Sequence, residues 1–322
     1  MYAIQQHTFG GPEVLTYTQL PDPAPGPGQV RVRVEVAGVH RIDTRIRAGT
    51  ADPHARPSLP MVPGREVAGV VDAIGADVDD RWHGQPVVAH LGTASGGYAE
   101  LAVAPVDALH ELDPPTDPAA AVAMVGTGRT AMAVLDATRI QPTDRVVVLA
   151  ASGGLGALLL QAADRTAKAA VGAARGDKTE LVGSLGVPVV DHRDEDWTAK
   201  VQRALAGPPT VVIDPVGGTL GRHAFELLPP GGRHALVAAT AGTTTQLNAD
   251  DLLARGVSAV GTLGPHLARD AGHTRALQRR ALERLARGQW TPLLTGFRLA
   301  DASEAHRTIE ARETVGKVIL RR

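Results

Sequence analysis

Apolar and polar residues alternate strictly through Val30-Arg31-Val32-Arg33-Val34-Glu35-Val36, which predicts a half-buried strand. The stretch before it, Pro21 to Gly28, is too rich in proline and glycine for a helix or a central strand. Val67 to Ile74 is a second apolar run, ended by Gly75. Gln85 to Ala89 and Tyr98 to Val103 predict further short strands, with Gly96-Gly97 as a turn. Short strands at this spacing predict a small irregular barrel.

The pattern changes near Pro118. Ala119 to Val134 reads as one helix. Strand and helix patterns then alternate. The strands fall at Arg145 to Ala150, Ala169 to Ala174, Val187 to Val190, Thr210 to Ile213, Arg233 to Ala238 and Val257 to Leu263. The helices between them fall at Gly154 to Thr166, Lys178 to Leu185, Trp197 to Leu205 and Gly221 to Leu227. That alternation predicts a parallel, doubly wound sheet with helices on its faces. Leu267 to Arg287 predicts a long amphipathic helix, and a short β/α/β tail closes the chain.

Composition narrows the class. The chain has 322 residues, 43% apolar and 21% charged, so two globular domains are expected. A net charge of -1 carries no footprint for nucleic acid or an anionic membrane. With no cysteine there is no disulfide, thiolate zinc site or cysteine nucleophile. No signal pattern opens the chain, and no apolar run approaches the ~18 residues of a membrane span. A cytoplasmic protein is the expectation.

Directly after the apolar run Arg145 to Ala150 comes Ala151-Ser152-Gly153-Gly154-Leu155-Gly156, then the helix former Leu158-Leu159-Leu160-Gln161. A strand, a glycine turn and a helix start form an anion site, because unpaired N–H groups and the helix dipole face the ligand. The pattern predicts a Rossmann-type dinucleotide site through Ser152, Gly153, Gly154, Leu155 and Gly156, with Ala151 at the usual first glycine. A ribose-binding acid is expected at the end of the second strand when the cofactor is NAD. Arg175 and Lys178 stand there instead, with Asp177 between them and His192 after the third strand. Cations suit a 2′-phosphate, so the expected cofactor is NADPH.

With these residues in view, the sequence resembles the quinone oxidoreductase (ζ-crystallin-like) branch of the zinc-independent medium-chain dehydrogenase/reductase superfamily. The matching segments are spread along the chain. They include Phe9-Gly10-Gly11-Pro12-Glu13-Val14-Leu15, Val62-Pro63-Gly64-Arg65-Glu66-Val67-Ala68-Gly69, Gly96-Gly97-Tyr98-Ala99-Glu100, Asp214-Pro215-Val216-Gly217-Gly218 and Gly316-Lys317-Val318-Ile319-Leu320. The resemblance implies an α/β protein with a GroES-like β-barrel catalytic domain, residues 1–121 and 265–322, and a Rossmann NADPH-binding domain, residues 122–264. It implies reduction of quinones or α,β-unsaturated carbonyls by NADPH, and a homodimer joined through the Rossmann domains. It sets Thr127, Val216, Ala238, Leu263, His192 and Lys317 among the cofactor-binding residues.

Zinc-dependent relatives bind their metal at positions that correspond here to His40, Arg65 and Ala123. An arginine cannot ligate zinc, so no metal is expected. Common members carry asparagine where His40 stands and tyrosine where Arg45 stands. His40, Arg45 and Arg65 are therefore the candidate catalytic residues, with Arg41 adding positive charge. Either they meet an acidic substrate or a developing enolate, or they face solvent and pack the site. His306 reads as structural, on one face of a helix with Ala302, Ala305 and Ile309, and His266 and His273 join no constellation. Ser152 has no visible partner for a hydrolase triad. Residues 49–61, with Pro53, and 240–250 are the expected pocket loops. Two alternatives stay open: an enoyl or polyketide-intermediate reductase, and a non-catalytic NADPH-binding protein.

Overall fold

The computed structural model describes residues 1–51, 57–264, 267 and 269–322. Pro53, His266 and the expected domain start at residue 265 lie outside them. The chain divides into two compact units, Met1–Gly126 with Leu293–Arg322, and Thr127–Pro292.

In chain order the first unit opens with β1 (Tyr2–Gln6), β2 (Leu15–Gln19), β3 (Gln29–Val39), α1 (Arg41–Arg47), β4 (Glu66–Ile74), β5 (Pro86–His90), β6 (Leu101–Pro105), β7 (Leu109–Glu111) and α2 (Pro118–Ala123). The second unit holds α3 (Arg129–Thr138), β8 (Arg145–Leu149), α4 (Gly154–Thr166), β9 (Ala169–Ala174), α5 (Thr179–Gly183), β10 (Val189–Asp191) and α6 (Trp197–Ala204). It continues with β11 (Val211–Asp214), α7 (Gly218–Glu226), β12 (Arg233–Leu236), α8 (Ala249–Arg255), β13 (Ser258–Gly261) and α9 (Ala271–Ala286). The chain then returns to the first unit through β14 (Leu294–Arg298), α10 (Ala302–Glu310) and β15 (Lys317–Arg321).

The alternation in β3 is realised. Val30, Val32 and Val34 are buried, with less buried residues between them. The strand is central because both of its edges are used. It pairs antiparallel with β4 on one side and with β15 and then β6 on the other, in a sheet of order β14-β15-β3-β4-β5-β7. Its core is aliphatic around Tyr98 and Trp82.

The second unit is a six-stranded parallel sheet of order β10-β9-β8-β11-β12-β13. From β8 the chain runs outward through β9 and β10, then resumes on the other side of β8 with β11. The switch point of the topology therefore lies between β8 and β11, and a ligand belongs outside the carboxyl ends of those strands.

Two expectations change. The long C-terminal helix α9 belongs to the second unit, not to the catalytic one. It buries Leu277, Gln278 and Ala281, and its Arg280 grips Asp136 of α3 with two bonds of 2.6 and 2.7 Å. The chain after it is tied back to α4, where Gln161 bonds both the N–H and the carbonyl of Thr291. The unit boundaries thus fall at 126/127 and 292/293, not at 121/122 and 264/265. The expected helix Ala119 to Val134 is interrupted by a π turn at Met124–Gly128. A side chain at Gly126 would place its Cβ 1.6 Å from Glu66 Oε1. The bulge brings bare backbone against that carboxylate, and such bulges are frequent at functional sites.

The helical stretch Pro118–Thr138 is long and apolar enough to cross a membrane, a length the sequence reading did not credit. Its most apolar window is 72% buried inside the fold, as befits a core helix.

Candidate active site

In the second unit, β8 ends against Ala150 and α4 begins at Gly154 with Gly153 as its cap. Gly153 brings no side chain, so the first-turn amides of this 13-residue helix face outward from the switch point. Gly156 is the close-packing glycine. A Cβ there would lie 2.2 Å from the Ala150 carbonyl oxygen. Ser152, Gly153, Gly154 and Leu155 stay partly exposed on the lip of the cradle. This arrangement fits a pyrophosphate. Gly156→Ala is expected to push α4 off β8, costing about 1–3 kcal/mol. Dinucleotide affinity should fall with it, and urea denaturation with a binding titration checks both.

Beyond β9, Arg175 is exposed and Lys178 buried. His192 follows β10, and burial lowers its imidazolium below the ordinary value. Arg193 was missed by the sequence reading. Its guanidinium lies over Gly176, where a Cβ would come 1.6 Å from Nη2, and it is held by Asp191 at 3.1 Å. Its position directly after His192, at the end of the third strand, was the available signal. Val216, Ala238 and Leu263 follow the carboxyl ends of β11, β12 and β13, the same edge of the sheet as the glycine loop. Thr127 is buried in the π turn.

The first unit holds a second polar cluster, built on the end of β3, the start of α1, the start of β4 and β15. His40 caps α1, and Asp43 accepts its N–H at 2.8 Å. His40 Nε2 lies 2.6 Å from Glu66 Oε1, and Lys317 Nζ donates to Glu66 Oε2 at 2.7 Å. Glu66 is 0% exposed and Lys317 3%. Burial alone would raise the Glu66 carboxyl, but His40 and Lys317 hold it well below the usual carboxylate range. Burial in turn pulls the Lys317 ammonium down, against the attraction of Glu66. Lys317, expected among the cofactor-binding residues, is thus engaged inside this unit by Glu66.

Arg65 Nε sits 3.3 Å from Asp43 Oδ1, so its charge is matched. Asp43 also accepts from the Tyr98 hydroxyl at 3.1 Å, and that hydroxyl lies 3.2 Å from His306 Nε2. His306 is buried, as expected of a structural residue. Arg45 is exposed, and among the described residues its guanidinium bonds the Thr50 carbonyl, at 3.2 Å. Of the three candidate catalytic residues, His40 and Arg65 therefore share one cluster and Arg45 stands apart from it.

Comparison with known proteins fits this construction. Residues 26–114 match the alcohol dehydrogenase GroES-like domain, and residues 185–320 match the zinc-binding dehydrogenase domain. A GroES-like unit and a parallel dinucleotide-type sheet in one chain define an oxidoreductase of the medium-chain dehydrogenase/reductase class. A quinone oxidoreductase of Sus scrofa is 30% identical over 328 residues, covering 99% of this chain and 97% of that protein. A solved mycobacterial quinone oxidoreductase is 30% identical with a TM-score of 0.82, covering all of both chains. The Escherichia coli quinone oxidoreductase, solved in complex with NADPH, is 26% identical with a TM-score of 0.86, again over all of both chains. The chain belongs to the quinone oxidoreductase family.

The zinc-binding description does not carry over to the donors present. Ala123 has no donor atom, Arg65 is paired with Asp43, and the carboxylate beside His40 already holds the Lys317 ammonium. Among the described residues, no three of His, Cys, Asp and Glu form a group that could hold a metal ion.

Proposed function

We propose that the protein transfers a hydride from NADPH to a quinone or an α,β-unsaturated carbonyl, without zinc. The observation that carries this reading is the carboxyl edge of the parallel sheet, where the glycine cradle follows β8 and the exposed Arg175 and Arg193 follow β9 and β10. Asp191, which ends β10, is occupied by Arg193. Bound NADPH supplies the hydride from its nicotinamide ring.

The protein's own part is to bind and orient. The open amides of α4 take the pyrophosphate, and the cations after β9 and β10 take the 2′-phosphate. In the first unit, the Glu66–Lys317 and Asp43–Arg65 pairs cancel, so the cluster adds no strong net charge. His40 keeps 20% of its side chain exposed while its buried Nε2 meets Glu66, so its part here is to hold this cluster in place. A homodimer joined through the second unit is part of this reading. Its support is β13, which pairs with β12 alone among the described strands and leaves one edge open.

Arg175→Ala is expected to weaken NADPH binding about tenfold, the worth of roughly one charge-assisted contact, and to leave NADH unchanged. Titration with both cofactors tests it, and equal losses would contradict it. The exposed Arg41 and Arg45 on α1 favour, as a second reading, an anionic thioester substrate. Turnover of a crotonyl-type thioester but not of a quinone assigns that one.

A further inference from the structure

Asp214 ends β11 and is 0% exposed, yet it has no arginine or lysine partner among the described residues. A buried carboxylate is costly unless hydrogen bonds satisfy it. Here its Oδ1 accepts from the backbone N–H of Val216 and of Gly217, both at 2.8 Å. Its Oδ2 meets His234 Nε2 at 3.1 Å and accepts from the Thr245 hydroxyl. Those bonds keep the carboxyl ionised despite its burial.

These partners come from different places. Val216 and Gly217 form the turn after β11. Thr245 closes the segment 238–245 after β12. His234 lies within β12. Further bonds lace the turn to the segment, among them Ala241 N–H to the Val216 carbonyl at 2.9 Å, Gly218 N–H to the Thr243 carbonyl at 3.1 Å, and Thr240 Oγ1 to the Pro215 carbonyl at 3.0 Å. Asp214 thus bonds the turn, the segment and β12 at once.

The position in the sheet says which end of a dinucleotide this lip would meet. The cradle for the pyrophosphate follows β8. The cations suited to a 2′-phosphate follow β9 and β10, on one side of β8. A dinucleotide lying across the switch point has its adenosine half on that side. Its nicotinamide half then lies over β11 and β12.

We propose that Asp214 is a positioning residue that holds the Val216–Gly217 turn and the 238–245 segment as one rigid lip for the nicotinamide half of the cofactor. This rests on the NADPH reading above.

The test uses two variants and two ligands. Asp214→Asn keeps the shape but replaces one acceptor oxygen by a donor. Thr245→Val removes only the tie to the outer segment. NADPH reports on both halves of the site, whereas 2′,5′-ADP reports on the adenosine half alone. Asp214→Asn is expected to weaken NADPH about tenfold and Thr245→Val about threefold, with 2′,5′-ADP affinity unchanged in both. Equal weakening of the two ligands would mean that Asp214 only supports the fold, and unchanged NADPH affinity would mean that the lip does not contact it. Either overturns the proposal. If Asp214→Asn does not fold, Thr245→Val decides alone by the same comparison. Wild-type protein that binds neither ligand would remove the NADPH reading itself, and this inference with it.

Discussion

Lys317→Met is expected to destabilise the protein by about 3–5 kcal/mol, the usual cost of breaking one half of a buried ion pair. The reason is the position of Glu66. Its carboxylate is fully buried under the π turn, with His40 at 2.6 Å and Lys317 at 2.7 Å. Without the ammonium, Glu66 must either stay charged in an apolar place or take up a proton. The isolated pair is not strongly stabilising, because removing two charges from water offsets most of their attraction. The double variant Glu66→Gln with Lys317→Met is therefore expected to recover most of the loss. Urea denaturation of the wild type, the two single variants and the double variant checks this as a cycle. Additive losses would show that the pair is not coupled.

Stability is also expected to fall by about 3 kcal/mol as the pH drops from 6.5 to 4, through His306 alone. Burial lowers its imidazolium to about 4 from an ordinary 6.5, with Asp43 pulling up and Arg47 pushing down. The folded state thus binds its proton less readily than the unfolded chain does. The contribution is complete above 6.5, where both states are neutral. It is lost as the pH falls from there through 4. The ring is wedged between Tyr98 and Arg47, whose charge goes to Glu310 at 2.6 Å, so a charged imidazole finds no room to hydrate. His306→Gln keeps polar atoms in place and cannot titrate. Its denaturation free energy should lack this fall, and an acid profile parallel to that of the wild type would contradict the account.

The legible parts of the fold were those written in local pattern. Alternation marked β3, and a β-branched run followed at once by glycines marked β8, the cradle and α4. The cations after β9 were legible because the position of the second strand end is set by that motif. What escaped depends on contacts between distant residues. The π turn that interrupts the helix across 119–134 puts Gly126 against the carboxylate of Glu66, some 60 positions earlier in the chain. The amphipathic pattern of α9 shows that it packs, but not that it packs on α3. Lys317 and Glu66 stand 251 positions apart, so no local pattern in the sequence pairs them. Arg65 looked like an added positive charge because Asp43, which neutralises it, precedes it by a whole loop.

The central claim is an NADPH-dependent hydride transfer to a conjugated carbonyl acceptor. The most direct measurement is kcat/KM for NADPH and for NADH with a simple 1,4-benzoquinone, followed by loss of the reduced nicotinamide absorbance in metal-chelated buffer. The account predicts turnover that survives chelation and favours NADPH by about tenfold or more, from the charge-assisted contacts to its 2′-phosphate. Equal efficiency with the two cofactors, or activity that chelation abolishes, would contradict it.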